Sequence, residues 1–226
     1  MRIGVITYDH PHLKTEQVVR ALLKYDYELT LFALPFSPRR TRPCVFEHRP
    51  CQFDAVHPQR LAEQCSLVFR RCASDSELPG GFDYYIITGA GILSPRCLEG
   101  KKIINCHPGL LPICRGLDAF KWAIYDNIPV GNTLHFIDEN IDEGRVIFRR
   151  LTPVYAEDTI QAFAMRHYRS EIGLLSTFPP HLTEPVDSLD LSAFPRSPAH
   201  PRMPVELEPE MLRRFSLYKK TYLAAP

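Results

Sequence analysis

Apolar positions fall into short runs separated by polar and proline-rich connections. The run Ile3-Gly4-Val5-Ile6 predicts an opening strand, Val18, Val19, Leu22 and Leu23 recur at helical spacing within Lys14 to Leu23, and Leu29 to Leu34 predicts a second strand. The chain therefore begins β-α-β. Pro35 to Pro58 carries Pro38, Arg39, Arg40, Arg42 and Pro43 and predicts a long irregular connection with an edge strand near Val45. A short helix is expected over Pro58 to Gln64, and Leu67-Val68-Phe69 reads as strand or helix. Tyr84 to Ile87, running into Gly89 and Gly91, predicts a short buried strand, and Lys102-Ile103-Ile104 predicts another. Leu117 to Tyr125 has helical periodicity, Gly131 to Ile137 and Arg145 to Leu151 predict a hairpin, and a helix capped at Asp158 is expected to reach about Leu175. Alternation on this scale predicts an α/β fold with a doubly wound, mostly parallel sheet.

The pattern changes after Ser176. Eight prolines from Pro179 to Pro209, Pro185 among them, are expected to interrupt any regular element, so a catalytic domain over 1–176 is followed by a proline-rich extension over 177–226. Leu207, Met211, Leu212, Phe215, Tyr222 and Leu223 then share a helical face, which predicts a short amphipathic helix docking on the domain or across a homodimer interface. With 45% hydrophobic and 23% charged residues the composition is that of an ordinary globular chain, and a net charge of +1 gives no pull toward nucleic acid or an anionic membrane. The seven cysteines form no CxxC pair and no secretory leader precedes the first strand, which predicts the reducing cytoplasm.

Chemistry concentrates in Ile104-Asn105-Cys106-His107-Pro108-Gly109, where a strand ends, and in His135-Phe-Ile-Asp138-Glu-Asn-Ile141-Asp142-Glu-Gly144. Asn105 and His107, two apart on extended chain, point to one side, while Cys106 points to the other and is a poor candidate nucleophile. If the two strand ends are neighbours, His107 and Asp142 meet although 35 residues separate them. A carboxylate beside an imidazole orients it and favours its charged form, and a carboxamide supplies a neutral donor to a developing oxyanion. That set suits acyl transfer to an amine without a Ser or Cys nucleophile. Of the remaining polar residues, His135 suits either a core histidine bonded to a carbonyl or an orienting partner of the triad. Asp138 suits an Asx-turn, Arg115-Gly116 an anchored turn, and Trp122 a core position. His10 and His12 are candidates to line a substrate crevice, and Arg39, Arg40, Arg42, Arg70 and Arg71 to meet a pyrophosphate.

Asn105-Cys-His107-Pro108-Gly109-Leu-Leu-Pro-Ile-Cys-Arg115-Gly116, followed by His135-x-x-Asp138-x-x-x-Asp142-x-Gly144, resembles the folate-dependent formyltransferase family, with matching over about Asp83 to Ile147. The family includes glycinamide ribonucleotide formyltransferase, methionyl-tRNA formyltransferase and sugar N-formyltransferases. The resemblance implies that Asn105, His107 and Asp142 are catalytic and that 10-formyltetrahydrofolate is the donor. Its pterin would lie among Ile87, Thr88, Gly89, Gly91, Ile92 and Leu93 on one loop and Ile137, Asp138 and Ile141 on the other. Gly109, Arg115, His10 and His12 are weaker candidates for substrate contact. The first loop, Thr7-Tyr8-Asp9-His10-Pro11-His12, lacks the glycine- and serine-rich phosphate cradle of the glycinamide ribonucleotide enzymes, which turns the expected acceptor toward a nucleotide-linked amino sugar. A glycinamide ribonucleotide type of acceptor, a formyltetrahydrofolate hydrolase, a folate- or nucleotide-binding module and a metal-dependent hydrolase built on His107, His135, Asp138 and Asp142 are the alternatives. The last lacks HExxH or HxD spacing.

Overall fold

A computed structural model describes residues 1–38, 42–183 and 189–224. Arg39, Arg40 and Pro185 lie outside the described residues. In chain order the elements are β1 (Arg2–Tyr8), α1 (Leu13–Leu22), β2 (Glu28–Leu34), α2 (Pro58–Gln64), β3 (Val68–Arg71), β4 (Tyr84–Ile87), α3 (Pro95–Leu98), β5 (Ile103–His107), β6 (Arg115–Gly116), α4 (Ala119–Tyr125), β7 (Gly131–Phe136), β8 (Val146–Leu151), α5 (Ile160–Ser176), α6 (Phe178–His181), β9 (Ala199–His200) and α7 (Glu208–Tyr222).

Among the described residues seven strands form one sheet, in the order β3-β2-β1-β4-β5-β7-β8. The pairs from β3 to β5 are parallel, whereas β5–β7 and β7–β8 are antiparallel. The apolar runs are continuous rather than alternating because strands buried on both faces need no polar alternation. Along β1, Val5 packs into a cluster with Val18, Val19, Leu22 and Leu174, while its neighbour Ile6 packs on the opposite face with Phe32, Tyr85 and Cys97. The chain winds outward from β1 in both directions. The strand order therefore reverses between β1 and β4, and a crevice opens beyond their carboxyl ends.

Three local expectations are corrected. No strand forms at Val45, because the N–H groups of Val45 and Phe46 donate to the Glu208 carboxylate at 2.6 and 2.9 Å instead of to a strand. The cap of α5 is Thr159, whose hydroxyl accepts from Ala162 N–H; Asp158 instead accepts from Tyr155 N–H and pairs with Arg166 at 2.5 Å. The prolines do not exclude regular structure. Pro179 and Pro180 sit in the first turn of α6, where a missing N–H costs nothing, and β9 pairs with β6.

The expected amphipathic helix is α7, which packs on α4 through a cluster containing Phe120, Phe163, Met211, Phe215 and Tyr218. Trp122 is only partly buried, with its indole stacked on His200 at 4.6 Å and its N–H donating to the Pro201 carbonyl. Among the described residues no helix is long and apolar enough to cross a membrane.

Candidate active site

β5 runs three residues further than Ile104, to His107, so Asn105 and His107 belong to it and face the same side, while Cys106 is buried in the core of the opposite face. Burial raises the Cys106 thiol pKa, which removes it as a nucleophile. Opposite, His135 on β7 pairs with Asn105, and the chain leaving β7 returns Asp142 to the end of β5.

The bonding fixes orientation at each atom. His107 Nε2 lies 2.9 Å from the Cys114 carbonyl, which can only accept, so Nε2 carries a proton. His107 Nδ1 then faces Asp142 Oδ1 at 3.4 Å. Without a proton on Nδ1 two acceptors confront each other; with one, the ring is a cation beside a carboxylate. The pair is therefore a seat for one proton. The expectation that Asp142 favours the charged imidazole holds only as one of two opposed effects: burial of the ring lowers its pKa, Asp142 and the Cys114 carbonyl raise it, and the net direction is down. The resting imidazole is thus poised toward its neutral form.

His135 performs both of its expected roles. Nδ1 donates to the Phe136 carbonyl at 3.2 Å, leaving Nε2 to accept from Asn105 Nδ2 at 3.3 Å. Burial and the neighbouring His107 lower its pKa to about 4, so the neutral tautomer persists at neutral pH. The Asn105 amide is thereby turned with its nitrogen toward His135, and its second N–H is left to donate elsewhere.

Asp142 adopts φ +54, in the left-handed region that few non-glycine residues occupy. Its surroundings hold it there. Oδ2 accepts from Gly116 N–H at 2.9 Å, and Arg115 grips the same loop through the Ile141 carbonyl at 2.6 Å and Glu143 at 2.7 Å. Arg115 itself is buried and its main chain is paired with β9. Its guanidinium thus faces the loop it braces, and the anchored turn is what the geometry supports. Gly109 is required by crowding, since a Cβ there would lie 2.5 Å from the Cys114 carbonyl oxygen and 2.7 Å from His107 Nε2. Asp138 forms the Asx-turn, accepting from Asn140 N–H at 2.9 Å.

Two loops flank the triad. On the first, Thr88 is buried and joined by hydroxyl bonds to Thr15 and through it to Thr7 and His12, which ties β4 to the start of α1. Gly91 stands in open space and Ile92 is 82% exposed; on the second loop Ile141 is 48% exposed. Ile87, Leu93 and Ile137 pack beneath them in one cluster. Gly89 lies tight against Tyr8 and His12, where a Cβ would clash.

Beside Asn105 a cleft of about 220 Å³ opens at the strand-order reversal, its walls including Tyr8, His12, Lys14, Arg49, Thr88 and Glu171. His10 is not part of it: its ring packs on Phe36 and Phe53 at 4.4 and 4.9 Å. Of the candidate pyrophosphate arginines, Arg42 and Arg70 are exposed and Arg71 pairs with Asp9 at 2.6 Å. Lys14, Arg49 and Glu171 were not expected here. Glu171 carried a usable signal, since it falls with Phe163, Ala164, His167, Leu174 and Leu175 on the apolar face of α5, where a charged residue needs a buried partner. Arg49, in an irregular arginine-rich connection, carried none.

Residues 85–177 match the profile of the formyl transferase family. Phosphoribosylglycinamide formyltransferase of Bacillus subtilis is 31% identical over 128 residues, 56% of this chain and 61% of that enzyme. The chain spans less than two thirds of the length of the curated relatives it matches. Among solved structures, phosphoribosylglycinamide formyltransferase of Campylobacter jejuni covers 78% of this chain and 94% of its own at a TM-score of 0.58 and 19% identity. A sugar N-formyltransferase of a Shewanella species covers 89% and 74% at a TM-score of 0.54 and 16% identity. These two likenesses establish the shared fold.

Proposed function

We propose, from the formyl transferase domain at residues 85–177, that this protein moves a formyl group from 10-formyltetrahydrofolate to a primary amine. The observation that carries this reading is the joining of Asn105, His107 and Asp142 at one strand end, with Asn105 oriented by His135 and Asp142 by Gly116. The donor would lie between the exposed Ile92 and the exposed Ile141, above Ile87, Leu93 and Ile137, a mixture of apolar side chains and open backbone that suits a flat heterocycle. When bound it supplies the formyl carbon that the amine attacks.

The residues of this chain manage charge and protons. The free N–H of Asn105 Nδ2 donates to the carbonyl oxygen as it gains charge. The proton released by the attacking nitrogen would be held at the seat between His107 Nδ1 and Asp142 Oδ1, with Nε2 occupied by the Cys114 carbonyl, and returned to the donor nitrogen as its bond to the formyl carbon breaks.

For the acceptor, a nucleotide-linked amino sugar is favoured over a phosphoribosyl amine. A phosphate at the start of α1 would need the first N–H groups of that helix. Here Leu13 N–H donates to the Gln52 carbonyl at 2.7 Å and Lys14 N–H to the Gln52 side chain at 3.2 Å. The test is release of tetrahydrofolate, followed by absorbance, with nucleotide-linked amino sugars, with glycinamide ribonucleotide and with no acceptor. Release dependent on an amino sugar is expected. Release with glycinamide ribonucleotide alone would overturn the acceptor assignment, release without acceptor would indicate a hydrolase, and no release would overturn the activity.

A further inference from the structure

The cleft beside Asn105 is lined by charges that do not balance. Glu171, with its side chain 1% exposed, binds Lys14 Nζ through Oε1 at 2.7 Å and Arg49 Nη2 through Oε2 at 2.5 Å. Burial alone would raise its pKa, but Arg49 and Lys14 hold it at about 2, so it is a carboxylate. The histidines around it add no charge: burial, helped by Lys14 and Arg49, lowers His12 to about 4, and burial lowers His167 to about 4. Two cations thus face one anion whose oxygens are both engaged. Lys14 is buried and Arg49 only half-buried, so the unmatched positive charge is partly withdrawn from water and is stabilised when an anion enters.

Arg49 is placed there by two anchors. On one side Val45 and Phe46 hang from the Glu208 carboxylate, which Lys121 holds at 2.6 Å; on the other Gln52 caps α1. Its ring-facing side lies 5.6 Å from the Tyr168 ring centroid, and only one of its five N–H donors is taken by Glu171. A guanidinium on chain anchored at both ends, with donors remaining and lining a cleft, suits a ligand.

We propose that Arg49 and Lys14 form an anion subsite in the acceptor cleft, so that the amine acceptor carries a phosphate or carboxylate group bound by side chains rather than by the first turn of α1. This rests on the formyl-transfer reading for the identity of the cleft, but anion binding is measurable without it.

The experiment titrates the full chain with inorganic phosphate, inorganic pyrophosphate and acetate by calorimetry, for the wild type, Arg49→Gln and Arg49→Lys. Saturable binding of at least one of these anions is expected, weaker by about tenfold or more in Arg49→Gln and partly restored in Arg49→Lys. Preference for the phosphates or for acetate distinguishes the two sources of charge. Should Arg49→Gln fail to fold, the wild type still decides: the bound anion slows modification of Arg49 by phenylglyoxal, read by mass spectrometry. Undiminished binding by Arg49→Gln, no binding of any of the three, or unprotected Arg49 would overturn the subsite. In the assay of tetrahydrofolate release, absent turnover with intact anion binding would overturn the transfer reading alone.

Discussion

At the residue scale, the seat for a proton between His107 and Asp142 makes a sharp demand. Asp142→Asn keeps the shape and the Gly116 contact but replaces an anion by a neutral amide, so kcat is expected to fall by roughly 10²- to 10⁴-fold with a thermal midpoint close to wild type. Near-normal turnover would remove Asp142 from the proton path. Gly109→Ala tests crowding instead, pushing a methyl group against His107 Nε2 and the Cys114 carbonyl; a loss of about 1–3 kcal/mol in denaturant unfolding is expected, together with lost activity. The meeting of Asn105, His107 and Asp142 was legible in the sequence because two short motifs at strand ends carry these residues. The tuning was not. Whether burial outweighs Asp142 at His107, and which nitrogen of His135 is protonated, depends on carbonyls of Cys114 and Phe136 that no side-chain pattern encodes.

At the element scale, α7 does more than cover α4. Glu208 is buried, neutralises the buried Lys121, and takes the N–H groups that an edge strand at Val45 would have offered a neighbour. Glu208→Ala leaves Lys121 as an uncompensated buried charge and is expected to cost about 3–5 kcal/mol by denaturant unfolding. Replacing the pair together, Lys121→Met with Glu208→Leu, is expected to recover most of that stability while anion affinity stays low, since Val45 and Phe46 still lack their acceptor. If affinity returned with stability, the anchoring role would fail. The helix itself was legible from its apolar face, whereas this link spans more than 160 residues and was not. Strand β9, two residues long among prolines, offers no periodicity to read.

At the scale of the whole molecule, the fold class was legible because every long strand carries its own apolar run, whereas the strand order β3-β2-β1-β4-β5-β7-β8 is not written in those runs. Stability against acid is a property of the buried histidines taken together. His12, His135 and His167 each sit near pKa 4, against an ordinary value of 6.5. Between those limits the unfolded chain binds more protons than the native one, so stability is complete above pH 6.5 and falls as pH drops toward 4. A thermal midpoint flat from pH 8 to 6.5 and descending steeply toward 4.5 is expected by calorimetry; a midpoint unchanged over that descent would mean these rings are protonated in the native state. The pairing of β6 with β9 has a consequence in time. Asp142 is braced by Arg115 and Gly116, and these are themselves paired with residues 199 and 200, while Arg49 waits on Glu208. A growing chain therefore emerges from the ribosome with the residues of its sheet made before the contacts that brace the candidate site. On the proposed reading of the site, the loop of Asp142 and the placement of Arg49 are complete only once the residues from 199 to 208 have been made.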